Sequence, residues 1–250
     1  IAEDEQPQGQ PVTPPPSATL RSRILHARRQ FIDLQAVLLT TYTFDPEVFA
    51  TGGLPLLLTD IGVEDDGGSR AVQHEVQAGL AKTPVCVCYD GGTGHHVTGL
   101  RYSLVPMAIE RRSFHAKMIV MAGKGTDGLT WIWVMVTSAN ITRAGWSENL
   151  EVVGELWLST ADWRHRHLGD FLSWLGDRIP GAGEEQSFNA IGRLLQIYRN
   201  LPVRMLRRET APKKWWHGYQ YPRLYISPVA KCSFPQFLRA HKTSRARQLT

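Results

Sequence analysis

The chain has little cysteine, no long apolar run and no clustered metal-ligand motif, and each lack removes a class of answer. Only three cysteines occur in 250 residues. Cys86 and Cys88 fall on one face of "TPVCVCYD" and Cys232 lies far along the chain. With no Cys-x-x-Cys pair and no His/Cys cluster, the thiols read as reduced residues of an intracellular protein, nuclear or cytoplasmic, rather than as a zinc site. No apolar run reaches the length of a membrane span, and the first residues carry no signal-peptide pattern. The chain begins at Ile1 rather than Met, which reads as a fragment.

Hydrophobic residues make up 42% of the chain and charged residues 20%, enough for one large core or two small ones. The charge is mildly basic, 28 Lys and Arg against 23 Asp and Glu. That balance suits a polyanionic partner such as nucleic acid, and it equally suits a solvated basic surface.

Three stretches divide the chain. Residues 1–19 are Pro-, Gln- and acid-rich with almost nothing to bury, and read as a disordered lead. Residues 20–220 read as one α/β domain, a mixed sheet flanked by helices. In it, "LRSRILHARRQF" is a short basic helix and "LQAVLLTTYTF" a buried strand. "PEVFATGGLPLLL" opens like a helix, and its Leu54 to Leu58 reads as a second strand. Val72, Val76 and Leu80 are spaced for a helix over 69–81, and "PVCVCYD" for a strand. "LRYSLVPMAI", "SFHAKMIVMA", "LTWIWVMVTS" and "NLEVVGELWL" follow as strands, the middle two joined by a hairpin at Asp127-Gly128. Ser159 and Asp162 are spaced as a capping box ahead of a helix with Leu168, Phe171, Leu172, Leu175 and Ile179 on one stripe. A further helix runs from about Ser187 to Arg199. Residues 221–250 read as a new strand, loop and helix start, the opening of a second half-domain.

The chemistry sits in "FHAKMIVMAG". A strand period of two places His115, Lys117, Ile119 and Met121 on one face, and Phe114, Ala116, Met118 and Val120 on the other. Two cationic or potentially cationic groups side by side repel unless an anion joins them. Near the end of the partner strand stands "VTSANITRAGW", with Thr137, Ser138 and Asn140 at a strand-to-loop junction. Adjacent strand ends bring such side chains within reach of each other. Lysine offers a charge-assisted bond to a phosphate oxygen, asparagine a neutral amide donor, and histidine a nucleophile or general acid/base. Trp146 in the same stretch reads as packing that fixes the asparagine loop. Trp215 and Trp216 lie among cations, a composition that suits base stacking or a packed linker.

"FHAKMIVM", "VTSANITRAGW" and "NLE" together resemble the phospholipase D superfamily, over roughly residues 34–180. The acid that the phospholipase pattern carries five residues after the lysine is absent, since Ala122 stands there. With Thr-Ser-Ala-Asn, this is most similar to the tyrosyl-DNA phosphodiesterase branch. The resemblance implies a phospholipase D-like α-β-α sandwich, one repeat plus the start of a second. It implies a phosphodiesterase that uses no cofactor or metal and cleaves 3′-end adducts of DNA through a phospho-histidine. His115, Lys117 and Asn140 would be catalytic, Ser138 and Thr137 substrate-binding, and Glu151 an acid that orients the histidine. Such sites are built from two halves, and this chain has a single His-x-Lys. "LYISPVAKCSFPQF" loosely repeats "LLTTYTFDPEVF", so the expected second half lies in missing C-terminal sequence. A homodimer partner, as in superfamily nucleases, is the alternative. A lipid phosphodiesterase and a non-catalytic nucleic-acid-binding half-domain are further readings.

Overall fold

A computed structural model of the chain describes residues 19–59, 70–93, 102–109, 113–159, 166–178 and 185–202. The Pro-rich lead up to residue 18, the capping position Asp162, the stripe residue Ile179, Trp215, Trp216, Cys232 and the proposed half-domain 221–250 lie outside them.

Six strands form one mixed sheet in the order β3-β2-β1-β4-β5-β6. They are β1 (Phe31–Thr41), β2 (Val85–Asp90), β3 (Ser103–Met107), β4 (Met118–Gly125), β5 (Thr130–Thr137) and β6 (Val153–Leu158). The first three run parallel, and on the other side of β1 the strands β4, β5 and β6 follow, each antiparallel to its neighbour. Helices cover both faces, which gives the layered α/β architecture that the strand–helix alternation predicts.

The period of two in the strands sorts their side chains into two cores. Val37, Leu39, Ile119, Met121, Trp133 and Met135 face one way. There they meet α1 (Leu20–Arg29), α3 (Leu54–Leu58) and α4 (Arg70–Lys82). Leu38, Cys86, Cys88, Phe114, Met118, Val120 and Val134 face the other way, onto α5 (Arg166–Gly176) and α6 (Glu185–Asn200). Burial of each such Leu, Ile or Phe contributes about 1.5–3 kcal/mol. The stripe Leu168, Phe171, Leu172 and Leu175 is wholly buried, as its spacing predicts. Cys86 and Cys88 share a face, with sulfurs 3.9 Å apart.

Two expectations change. Leu54–Leu58 is a helix, not a strand. It continues the helical segment that starts with α2 (Pro46–Val48), capped by the Asp45 carboxylate on the N–H groups of Glu47 and Val48, and passes through a wide turn at Phe49–Gly53. All five residues are buried, so no periodicity shows in the sequence; leucine's helix propensity and its lack of a β-branch carry the signal. The strand expected from Ser113 begins only at Met118, because β1, its neighbour, leaves the sheet after Thr41.

At the far end of β4 the hairpin closes as predicted. Gly128 has φ +78°, the left-handed conformation that glycine adopts without a Cβ penalty. The Asp127 carboxylate accepts from the Leu129 N–H and the Trp131 indole.

Candidate active site

The opposite end of the sheet gathers the C-terminal ends of β1, β2, β3 and β5 with the start of β4. Residues 113–117 lead into β4 there outside the strand itself, and Phe114 and Ala116 both pack on the α5/α6 side. Phe114 is buried on the α5/α6 side and stacks on Trp174 of α5, with ring centroids 6.4 Å apart. The parity that buries Phe114 turns His115 and Lys117 the other way.

His115 is exposed and Lys117 is only 8% exposed. The lysine Nζ lies 3.0 Å from His115 Nδ1 and 3.2 Å from Nε2, so it straddles both ring nitrogens. Tyr42, the first residue after β1, sets its ring 4.9 Å from the imidazole and 6.0 Å from the ammonium. Burial holds the Lys117 ammonium below the usual lysine range, and the Glu151 carboxylate pulls it partly back. A cation kept in a poorly solvated position binds an incoming anion strongly, because little water must be removed from it.

Asn140 joins this corner through β1. Its Oδ1 accepts from the Thr43 N–H at 3.2 Å, with Thr41 Oγ1 at 3.4 Å. The Thr41 hydroxyl has one proton, committed to the Thr43 carbonyl at 2.7 Å, and it accepts from the Ile141 N–H at 3.0 Å. The amide oxygen therefore faces Thr43, and Nδ2, which has no hydrogen-bond partner among the described residues, is turned to the other side. Gly145 closes the loop from behind: a Cβ there would overlap the Asn140 carbonyl oxygen. Trp146 packs on the adjoining core, as the sequence suggests.

The remaining expected residues divide. Thr137 Oγ1 accepts from the Ala139 N–H, so it shapes the turn. Ser138 donates to Glu151 and accepts from the Val152 N–H at 2.9 Å. Glu151 is thus held by Ser138 and acts on Lys117 through its charge, while among the described residues the His115 ring meets Tyr42 and Lys117. Sequence reasoning missed Tyr42, Thr41 and Asp90. Their only signal was position, at the ends of two buried parallel strands where α/β sheets place their sites.

Among the described residues no three His, Cys, Asp or Glu side chains gather in a way that could hold a metal ion. Among them, too, no helix is long and apolar enough to cross a membrane.

The chain matches no family model and no curated protein. Among solved structures it is similar to NucT from Helicobacter pylori. The identity is 12%, the TM-score 0.31, and the match covers 54% of this chain and 74% of that one. At that level the likeness carries no argument about chemistry, and the reading of the site rests on its own geometry.

Proposed function

We propose that this corner is one half of a phosphodiesterase site that acts on nucleic acid without a metal, similar to the tyrosyl-DNA phosphodiesterase branch of the phospholipase D superfamily. The observation that carries the reading is the Lys117 ammonium, buried and in contact with an exposed His115.

In this scheme a nonbridging phosphate oxygen takes the charge of Lys117, and a second accepts from Asn140 Nδ2. A His115 nitrogen attacks phosphorus, the bond to the leaving oxygen breaks, and that oxygen takes a proton from an acid opposite. Water then cleaves the phospho-histidine. The opposite acid and the second pair of phosphate donors come from a partner half-site. One half supplies only one side of an in-line displacement, so a lone copy of this half binds without turning over. The basic balance of the sequence favours a polyanionic substrate over a lipid.

The test assays single-stranded DNA carrying a 3′-phosphotyrosine, with and without EDTA, on samples whose mass is measured by light scattering. Expected is turnover that survives EDTA, needs the partner half-site, and falls by at least about a thousandfold in His115→Ala. Strict dependence on added magnesium or zinc overturns the scheme. Turnover by a demonstrated monomer of the described half overturns the half-site argument. DNA binding that never acquires turnover in any assembly makes this a binding module instead.

A further inference from the structure

The segment that carries His115 poses a backbone problem. Residues 113–117 run beyond the point where β1 ends, so the buried N–H of Phe114 has no strand to pair with. An unpaired buried donor is destabilising, and a segment without a ladder does not hold a side chain to a fixed place.

Asp90 fills the gap. It is the last residue of β2, 8% exposed, and its two carboxylate oxygens are divided between two backbone donors. Oδ2 accepts from the Phe114 N–H, and Oδ1 from the Gly92 N–H at 2.9 Å. Asp90 also donates its own N–H to the Tyr42 carbonyl at 3.3 Å. Thr93 Oγ1 repeats that link, with 2.7 Å to the Asp90 carbonyl and 3.3 Å to that of Tyr42. The same residue therefore grips the peptide before His115 and the residue whose ring lies against the imidazole. Among the described residues no cation is paired with Asp90, and its carboxylate accepts from the Gly92 and Phe114 N–H groups, which fixes direction as well as energy.

We infer that Asp90 is a positioning residue for His115: it stands in for the missing strand and sets the imidazole against Lys117 and Tyr42. The inference rests on the reading of His115 as the reacting group. Asp90 acts through the backbone of residue 114.

The experiment uses the full chain with Asp90→Ala and Asp90→Asn. Thr83→Val serves as control, since Thr83 is a buried hydroxyl bonded to the Leu34 carbonyl at the other end of the sheet. The first arm needs no turnover. Amide exchange at Phe114 and the His115 ring signals are followed by NMR. Asp90→Ala should speed exchange at Phe114 by tenfold or more (on the order of the loss of one hydrogen bond) and move the His115 signals, with Ile119 and Val120 amides unchanged. Asp90→Asn keeps one acceptor oxygen and should fall between. The control should move neither signal.

The second arm measures turnover in the assembled enzyme. Asp90→Ala should lower kcat about a hundredfold, as a small misplacement of a reacting group does, with KM changed less than about twofold. His115 signals and kcat that stay at wild-type values overturn the inference. If Asp90→Ala fails to fold, Asp90→Asn decides on the same two readouts. If the wild-type chain shows no turnover in any assembly, the phosphodiesterase reading fails, and the NMR arm alone decides whether Asp90 positions the ring.

Discussion

The two ends of the β4–β5 pair are built on different principles. At the hairpin end the turn bonds lie within residues 125–131, and the Thr126 N–H adds one tie to the Gln30 carbonyl. Gly125 bonds to Leu129, Gly128 bonds back to Gly125, and Asp127 serves two neighbours. At the other end, the supporting bonds join residues far apart in the chain. Met118 N–H is held by Thr40, Ile141 N–H by Thr41, Thr43 N–H by Asn140 and Phe114 N–H by Asp90. One end spends its polar groups on a turn. The other uses side chains as stand-ins for absent strands, and among the described residues the Lys117 ammonium is hydrogen-bonded only to the His115 ring and the Asn140 amine to no acceptor.

If that contrast is right, substitutions at the two ends should separate binding from stability. The largest effect belongs to Asn140→Asp. The new carboxylate still accepts from Thr43, so the melting temperature should hold within about 2 °C. The amine is lost, and in the proposed scheme a negative charge faces the phosphate. Binding of a single-stranded oligonucleotide at fixed salt should weaken roughly tenfold to a hundredfold, the worth of one charge-assisted bond. Unchanged affinity in a fluorescence titration would remove Asn140 from the site.

Next comes Gly128→Ala at the hairpin. Nothing lies within 4 Å of the added Cβ, so the penalty is the left-handed backbone alone. Stability should fall by about 1 kcal/mol, a few degrees of melting temperature, with oligonucleotide affinity intact. A loss of affinity there would mean the two ends are coupled.

The smallest effect is electrostatic. Glu151→Gln removes the charge that partly offsets burial, so Lys117 should titrate still lower, as read by NMR of its Cε–H signals. The sign for stability follows. A lysine whose folded value lies below its unfolded value opposes folding while it is charged. The penalty is therefore full below the folded value and is relieved as pH rises from there toward the ordinary lysine range. In Glu151→Gln that rise should begin at lower pH in denaturant titrations. A Lys117 signal that does not move would separate Glu151 from the site.

The same contrast explains what the sequence made readable. The hairpin was visible because Asp127-Gly128 between alternating strands is a local code. The stripes Val72–Val76 and Leu168–Leu175 were visible for the same reason, since each periodicity lies within one element. His115, Lys117 and Asn140 stood out by chemistry, as polar residues in apolar surroundings. Leu54–Leu58 was misread because burial on all sides erases the period. Asp90 and Thr41 looked like ordinary strand endings. Their roles depend on which residues lie opposite, and β1 meets β4 only after more than seventy intervening positions.

That separation along the chain has a consequence for the order of events in folding. A hairpin closes in about 1–10 μs, and the β4–β5 turn bonds are local apart from the Thr126 N–H on the Gln30 carbonyl. Contacts between distant segments wait on loop closure, so they form late and set the overall rate. The cradle around Asn140 requires residues 41–43 and 140–141 together, and the grip on Phe114 requires β2 in place. A chain with a formed hairpin and a half-built sheet would possess every residue of the site and no site. The cradle is a property of the finished topology, so under the proposed scheme oligonucleotide binding should return only with the slowest phase of refolding, after the Gly125 and Gly128 amides of the hairpin are already protected.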